Sequence, residues 1–261
     1  MNMVFDEYAR YYDLLYADKD YDGEAKYIAS LLRCTMGNGR RQILELGCGT
    51  GKHAALLADM GYKICGIERS KNMLAQAQER AGGKHGLSFV QSDIREFSLG
   101  KTFDAVFALF HVMSYQTSTE DFIAVLKCVR EHLNEGGVFI FDTWYGPAVL
   151  TERPEFRVKR LEDESCQITR IAEPVLHENE SIVDVNYDVF VKDKATGDIK
   201  EFKEVHNMRY YFLSEISLML GMCGFALEKA VEFMTERELS GKTWGSLFVA
   251  RKNETESYGH F

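Results

Sequence analysis

Three glycines alternate through Gly47-Cys48-Gly49-Thr50-Gly51, directly after the apolar run Ile43-Leu44-Glu45-Leu46 and directly before Lys52–Met60, which reads as a helix. Glycine takes positive φ and, lacking Cβ, lets a ligand lie against the backbone. A helix that starts there turns its free N–H groups and the positive end of its dipole toward the turn. Glu45 places a carboxylate just upstream. Together these residues suit the holding of a polar cofactor at a strand-to-helix turn. A dinucleotide-binding turn is spaced G-x-G-x-x-G. Here Lys52 stands at the third glycine position of that pattern, and the third glycine falls one residue earlier, at Gly51. A second acid, Glu68, follows the strand Lys63–Ile67 about twenty residues on, where an α/β fold places a carboxylate for ribose hydroxyls.

The elements that must carry these residues follow from hydrophobic pattern. Leu87–Gln91 reads as a third strand leading to Ser92-Asp93-Ile94, and Phe103–Leu109 as a fourth. The fourth is an almost continuous apolar run, as in a parallel strand covered on both faces. Its end, Phe110-His111-Val112-Met113-Ser114-Tyr115, must lie at the carboxyl edge of the sheet, where open α/β folds bind ligands. A helix from about Glu120 to Leu133 meets the stop signal Asn134-Glu135-Gly136-Gly137, and the fifth strand spans Val138–Asp142. From Phe156 to Phe212 the pattern changes to period-two alternation around a turn at Lys194–Gly197, which predicts three or four antiparallel strands. Helix Ser214–Met222 and strands Ala226–Phe233 and Gly245–Arg251 close the chain.

The register G-x-G-x-G with Glu45 resembles motif I of class I S-adenosylmethionine-dependent methyltransferases. The resemblance implies a Rossmann-like α/β fold: a seven-stranded sheet, mostly parallel with the last strand antiparallel, here with a small inserted antiparallel β-sheet. It makes Asp93 the residue that reads the adenine amino group, with Ile94 packing nearby, and it adds Cys48 and Phe110 to the cofactor set of Glu45, Gly47, Gly49, Gly51 and Glu68. The N-terminal run Asp6–Tyr16, Lys19–Ala25 and Asp142-Thr-Trp-Tyr-Gly-Pro147 are similar to bacterial nucleotide-linked amino-sugar N,N-dimethyltransferases. In that family an N-terminal Tyr-Asp pair closes over the cofactor, which implies Tyr12 as the contact to the methionine carboxylate beside Asp13. A histidine follows the fourth strand in that family. Tyr115 stands at the aligned position here, and the aromatic expected near the extreme N-terminus is at best Phe5.

Methyl transfer from a sulfonium is an in-line displacement, so positioning supplies most of the rate. A neutral amine attacks directly, whereas an ammonium or hydroxyl acceptor needs a base within hydrogen-bond reach. Tyr115 and His111 are the candidates by position, with His206 on the insertion a distant third. Tyr115 suits an orienting hydroxyl better than a base, since an unperturbed phenol titrates near ~10. Tyr16, Trp144, Tyr145 and His206 are the expected acceptor contacts.

Net charge is −9, from 31 basic and 40 acidic side chains, and the basic runs Arg40-Arg41 and Arg157–Arg160 are short, so a small-molecule acceptor is expected over nucleic acid. No apolar run is long enough for a membrane span, and the acidic N-terminus does not read as a signal peptide, so the expected location is cytoplasmic. Six cysteines lack metal-ligand spacing, so no metal is expected. The expected organisation is a cofactor-binding core of residues 1–142 and 207–252, an insertion of residues 143–206 serving as substrate lid or oligomer surface, and a polar tail of residues 253–261. An exposed antiparallel sheet would also suit a homodimer. A non-catalytic S-adenosylmethionine-binding module and an NAD(P)-dependent oxidoreductase remain as alternatives at this stage.

Overall fold

The computed structural model describes residues 8–37, 39 and 42–254. Phe5, Arg40, Arg41 and the tail beyond residue 254 lie outside them. Short helix α1 (Tyr12–Leu15) and helix α2 (Tyr21–Met36) precede β1 (Gln42–Leu46), α3 (Lys52–Asp59), β2 (Lys63–Glu68), α4 (Lys71–Ala81), β3 (Leu87–Gln91) and β4 (Phe103–Ala108). Next come α5 (Thr119–His132), β5 (Leu133–Tyr145) and α6 (Gly146–Thr151). The insertion is four strands: β6 (Arg157–Glu162), β7 (Cys166–His177), β8 (Ile182–Asp193) and β9 (Ile199–Tyr211). Helix α7 (Leu213–Met222), β10 (Phe225–Glu232) and β11 (Gly245–Lys252) complete the chain.

Strands β3-β2-β1-β4-β5 run parallel in that order. Strand β11 is antiparallel to β5, and β10 pairs with β11, so the central sheet has the seven strands expected, with β11 reversed. The reason is legible in the burial of alternate residues. Ile43, Ala105, Phe107, Val138 and Ile140 pack on one face with Ile28, Leu32 and Leu57 of α2 and α3. Leu44, Val106, Ala108, Phe139 and Phe141 pack on the other with Phe122, Val125, Ile216 and Leu220 of α5 and α7. Both faces are covered, which is why these strands read as unbroken apolar runs. Ser70 and Ser118 cap α4 and α5 by accepting from the backbone of Met73 and Asp121.

Strand β5 begins at Leu133 rather than Val138. Phe103 pairs with Leu133 and Ala105 with Val138, so Asn134–Gly137 bulge out of the ladder instead of forming a separate loop. Gly136 makes this possible with φ of 67°. The divisions expected after residues 142 and 206 fall inside β5 and β9. Strand β9 runs unbroken from the inserted hairpin into two parallel pairs with β5, Trp144 with Tyr210 and Tyr145 with Tyr211, so the insertion extends the central sheet. Among the described residues, no helix is long and apolar enough to cross a membrane, and no cluster of three or more His, Cys, Asp or Glu could hold a metal ion.

Phe141 is fully buried, stacked on Phe139 at 4.6 Å and Phe248 at 5.2 Å between ring centroids. Phe141→Ala should lower the unfolding free energy by about 3–5 kcal/mol, measured from urea transitions at constant m-value.

Candidate active site

The carboxyl edge of β1, β2 and β4 faces the inserted sheet across a cavity of about 520 Å³. Gly47, Gly49 and Gly51 have φ of 61°, 55° and 75°, the left-handed backbone that the turn demands. Their tasks differ. A Cβ on Gly49 would stand in open space in the cavity wall, while one on Gly47 would lie 2.7 Å from Val112 Cγ2. Gly51 does not line the cavity: its Cβ position is 2.7 Å from Phe89 Cζ and 3.0 Å from Ala77 Cβ, so it lets α3 pack against β3 and α4.

The Gly49 N–H donates to Glu68 Oε2 at 3.0 Å and the Ser70 N–H to Glu68 Oε1 at 2.7 Å. Burial pushes the Glu68 carboxyl up despite these bonds. Each oxygen keeps a further lone pair. Glu45 is fully buried and its carboxyl is pushed well up by that burial; Oε2 has no hydrogen-bond partner, and Oε1 lies 3.7 Å from His53 Nδ1. His53 Nε2 in turn meets Glu24 Oε2 at 2.8 Å, and Glu24 pairs with Lys19. Asp93 is gripped by Arg95, whose Nη2 donates to Oδ2 at 2.7 Å and whose Nε donates to Oδ1 at 3.0 Å, and this contact holds the Asp93 carboxyl below its usual range. Ile94 and Cys48 line the same wall.

Residues Tyr8–Leu15 form a strap across the opening. On the core side, Asp13 accepts from Thr50 Oγ1 at 2.8 Å and pairs with Lys52 at 3.2 Å and with Arg80. On the insertion side, Arg170 Nη1 donates to the hydroxyls of Tyr8 at 2.6 Å and Tyr16 at 3.3 Å, and the Tyr8 N–H reaches Glu204 Oε1 at 3.3 Å. Tyr12 and Tyr16 both face the cavity, their rings 4.7 Å apart, and the Tyr16 ring meets Phe110 edge-on at 5.0 Å. Burial pushes the Tyr12 hydroxyl well up.

At the end of β4, Phe110 and His111 adopt φ of 65° and 63°, costly for residues with a Cβ. The His111 N–H donates to the buried Asp142 Oδ1 at 2.9 Å, and His111 Nδ1 stands 3.0 Å from Asp142 Oδ2 without hydrogen-bond geometry. Tyr115 and His206 are 91 positions apart, yet the Tyr115 hydroxyl and His206 Nδ1 are 2.7 Å apart. His206 Nε2 continues to Glu204 Oε2 at 3.2 Å. Burial pushes the Tyr115 hydroxyl well above the usual tyrosine value. Trp144 lines the cavity. Tyr145 does not, because successive strand side chains point to opposite faces; it precedes α6 instead.

Arg170, Glu204 and the Glu24–His53 pair were not singled out from sequence. For Glu204 a signal existed in its spacing of two from His206, which puts both on one strand face. For Arg170 the signal was a charge in register with Ile168 and Ala172, both buried.

Residues 43–137 match the model of a methyltransferase domain. A dTDP-3-amino-3,4,6-trideoxy-alpha-D-glucopyranose N,N-dimethyltransferase of Streptomyces venezuelae is 28% identical over 85% of this chain and 91% of its own. The structure of an S-adenosylmethionine-dependent methyltransferase from Clostridium acetobutylicum superposes with a TM-score of 0.81 at 22% identity, covering 97% of this chain and all of the other. That of S-adenosylmethionine-bound CalS10, an amino pentose methyltransferase from Micromonospora echinaspora, gives a TM-score of 0.74 at 25% identity over 97% and 99% of the two chains. The cavity fits that cofactor. The orphaned Glu45 Oε2 is an acceptor without a donor, which an ammonium would supply, and Gly49 leaves open the space that a Cβ would fill. A methyltransferase domain set in a class I fold, similar along most of its length to proteins that methylate with this cofactor, makes the chain an S-adenosylmethionine-dependent methyltransferase.

Proposed function

We propose that the chain methylates an amine on a small-molecule acceptor, and that the Tyr115–His206–Glu204 chain orients that amine. The observation that carries this reading is the run of hydrogen bonds at 2.7 and 3.2 Å, which opens onto the cavity containing Gly49 and Glu68. Two of the proteins named above, the N,N-dimethyltransferase of Streptomyces venezuelae and CalS10, are named for amino sugars, which supports a nitrogen acceptor. When bound, S-adenosylmethionine supplies an electrophilic methyl carbon on a sulfonium. In this reading Glu45 takes the ammonium, Tyr12 the carboxylate, Glu68 the ribose hydroxyls and Asp93 the adenine amino group, with Cys48, Ile94 and Phe110 lining the walls. Gly47 and Gly51 shape the turn. Tyr16 and Trp144, which line the cavity, face the acceptor.

Burial keeps Tyr115 a neutral phenol, so its hydroxyl donates to His206 Nδ1, which leaves Nε2–H to donate to Glu204. In this reading the phenol oxygen, which faces the cavity, accepts an N–H from the amine and turns the nitrogen lone pair toward the methyl carbon. Tyr115 is thus an orienting group, and His111, anchored on Asp142, fixes the loop that carries it. The divided core and insertion, a homodimer built on the antiparallel sheet, a cytoplasmic location and the absence of a nucleic-acid partner belong to the same proposal; the net charge of −9 supports the last.

Calorimetry should show binding of S-adenosylmethionine and none of NADH. Gly49→Ala should weaken the sulfonium by at least about tenfold, since its Cβ both enters the cavity and strains the backbone. Unchanged affinity would remove Gly49 from the cofactor site. Tyr115→Phe should lower kcat about 10- to 100-fold with cofactor affinity within twofold, and adding His206→Phe should cost little more, because the two act as one chain. Full activity in the single variant would exclude the orienting role. A raised tyrosine pKa also means that the phenol stays protonated as pH rises, so the shape of the pH–rate profile from pH 7 to about 9.5 should be the same in wild type and Tyr115→Phe.

A further inference from the structure

Arg170 is a cation in the cavity wall for which methyl transfer has supplied no use. It comes from β7, between the inward-facing Ile168 and Ala172. Its guanidinium stands 4.8 Å from the Tyr187 ring centroid and 5.6 Å from that of Tyr16, and Nη1 donates to the Tyr8 and Tyr16 hydroxyls. Tyr8 is a neutral acceptor, since burial holds its hydroxyl protonated, as it does that of Tyr187. Nε is buried without a partner, and among the described residues no carboxylate is within ion-pair distance. The nearby acids are engaged elsewhere: Asp18 with Lys159 at 2.7 Å, and Glu204 with the Tyr8 N–H and His206. By contrast, Lys19 pairs with Glu24, and Arg95 with Asp93 and Asp121. A charge drawn out of water is costly unless a counter-charge meets it. Aromatic faces offset only part of that cost.

We propose that Arg170 binds an anionic group of the acceptor, phosphate or carboxylate, and thereby selects amines that carry one. The inference rests on the methyl-transfer reading and deepens it. The guanidinium presents N–H donors in a planar fork that matches both anions. Distance also constrains the acceptor. The Tyr187 ring centroid lies 4.9 Å from that of His206 and 4.8 Å from the Arg170 guanidinium, so one ring neighbours both and the anion sits within reach of the Tyr115–His206 pair. The acceptor is therefore an amine whose anionic group lies a few bonds away, not a simple alkylamine.

The test uses the full chain and matched acceptors: an amino sugar against its phosphate ester, and an amino acid against its amide, with release of S-adenosylhomocysteine as the readout. In wild type the anionic member of one pair should exceed its neutral twin in kcat/KM by at least about tenfold, mainly through KM. Arg170→Met should bring that ratio to about one, and Arg170→Lys should retain part of it. In parallel, the S-adenosylhomocysteine-loaded protein is titrated calorimetrically with inorganic phosphate, pyrophosphate and acetate. Binding of one class in wild type, at least about tenfold weaker in Arg170→Met, identifies the source of the anion. A cofactor affinity within twofold of wild type shows that each variant is folded; if the Met variant is not, the Lys variant carries both measurements. A preference ratio unchanged by substitution overturns the proposal, as does failure of every anion to bind wild type. A purely structural Arg170 that fastens Tyr8 and Tyr16 would slow both twins equally and leave the ratio intact, which also overturns it. If no amine is methylated while anion binding depends on Arg170, methyl transfer to amines fails and the anion site stands.

Discussion

The grip of the Glu68 carboxylate on the backbone of Gly49 and Ser70 fixes the geometry on which the rest of the cavity depends. Its side chain is buried to 9% exposure, and each of its oxygens accepts one main-chain N–H. Charge-assisted bonds of this kind contribute roughly 1.5–3 kcal/mol each. Desolvation still outweighs them, because the net effect is to raise the carboxyl rather than depress it. An acid held against its own solvation in a cleft marks a place where function sets the terms. The structural consequence is that the turns after β1 and β2 are tied to each other. Cys48 N, which donates to Ile67 O at 2.9 Å, adds a second tie between them.

The opposite rim is fixed differently. Phe110 and His111 hold a backbone that few side-chain-bearing residues adopt, and the cost is met by the Asp142 carboxylate accepting from His111 N. Above both rims lies the strap, whose two ends are held by forces of unequal size. Asp13 and Lys52 keep 34% and 20% of their side chains exposed, and ion pairs this wet contribute about 0–1 kcal/mol. Tyr8 and Leu15 are fully buried among Ile168, Val189 and Val191 of the insertion, and each such side chain contributes about 1.5–3 kcal/mol. The strap therefore belongs energetically to the inserted sheet and is only latched to the cofactor-binding core.

Local chemistry explains how much of this was readable in the sequence. The parallel strands announce themselves because burial on both faces forces unbroken apolar runs, and the glycine register because only glycine tolerates three left-handed positions so close together. The same motif hides the division of labour among its glycines. Whether Gly51 borders a ligand or a neighbouring Phe89 depends on β3, some forty residues on. Nothing in Trp144-Tyr145 says which of the two faces the cavity, and strand alternation puts only Trp144 there. The meeting of Tyr115 with His206 has no local signal: it exists because β9 returns to pair with β5, a parallel contact of two residue pairs that periodicity does not reveal.

That short contact is where the two halves of the site are joined. Trp144 stands opposite Tyr210, and the alternation of β9 then places Met208, His206 and Glu204 on the same face at successive steps away from the cofactor-binding core. Main-chain register thus sets the distance between the glycine turn and the side chains of β9 that face the cavity. Inward positions of β7, β8 and β9 are free to change identity without disturbing β1, β2 and β4, because no ladder between them is broken. A fold built this way lets side chains on three adjacent strands, Arg170, Tyr187 and His206 among them, face the cavity without altering the glycine turn on the other side.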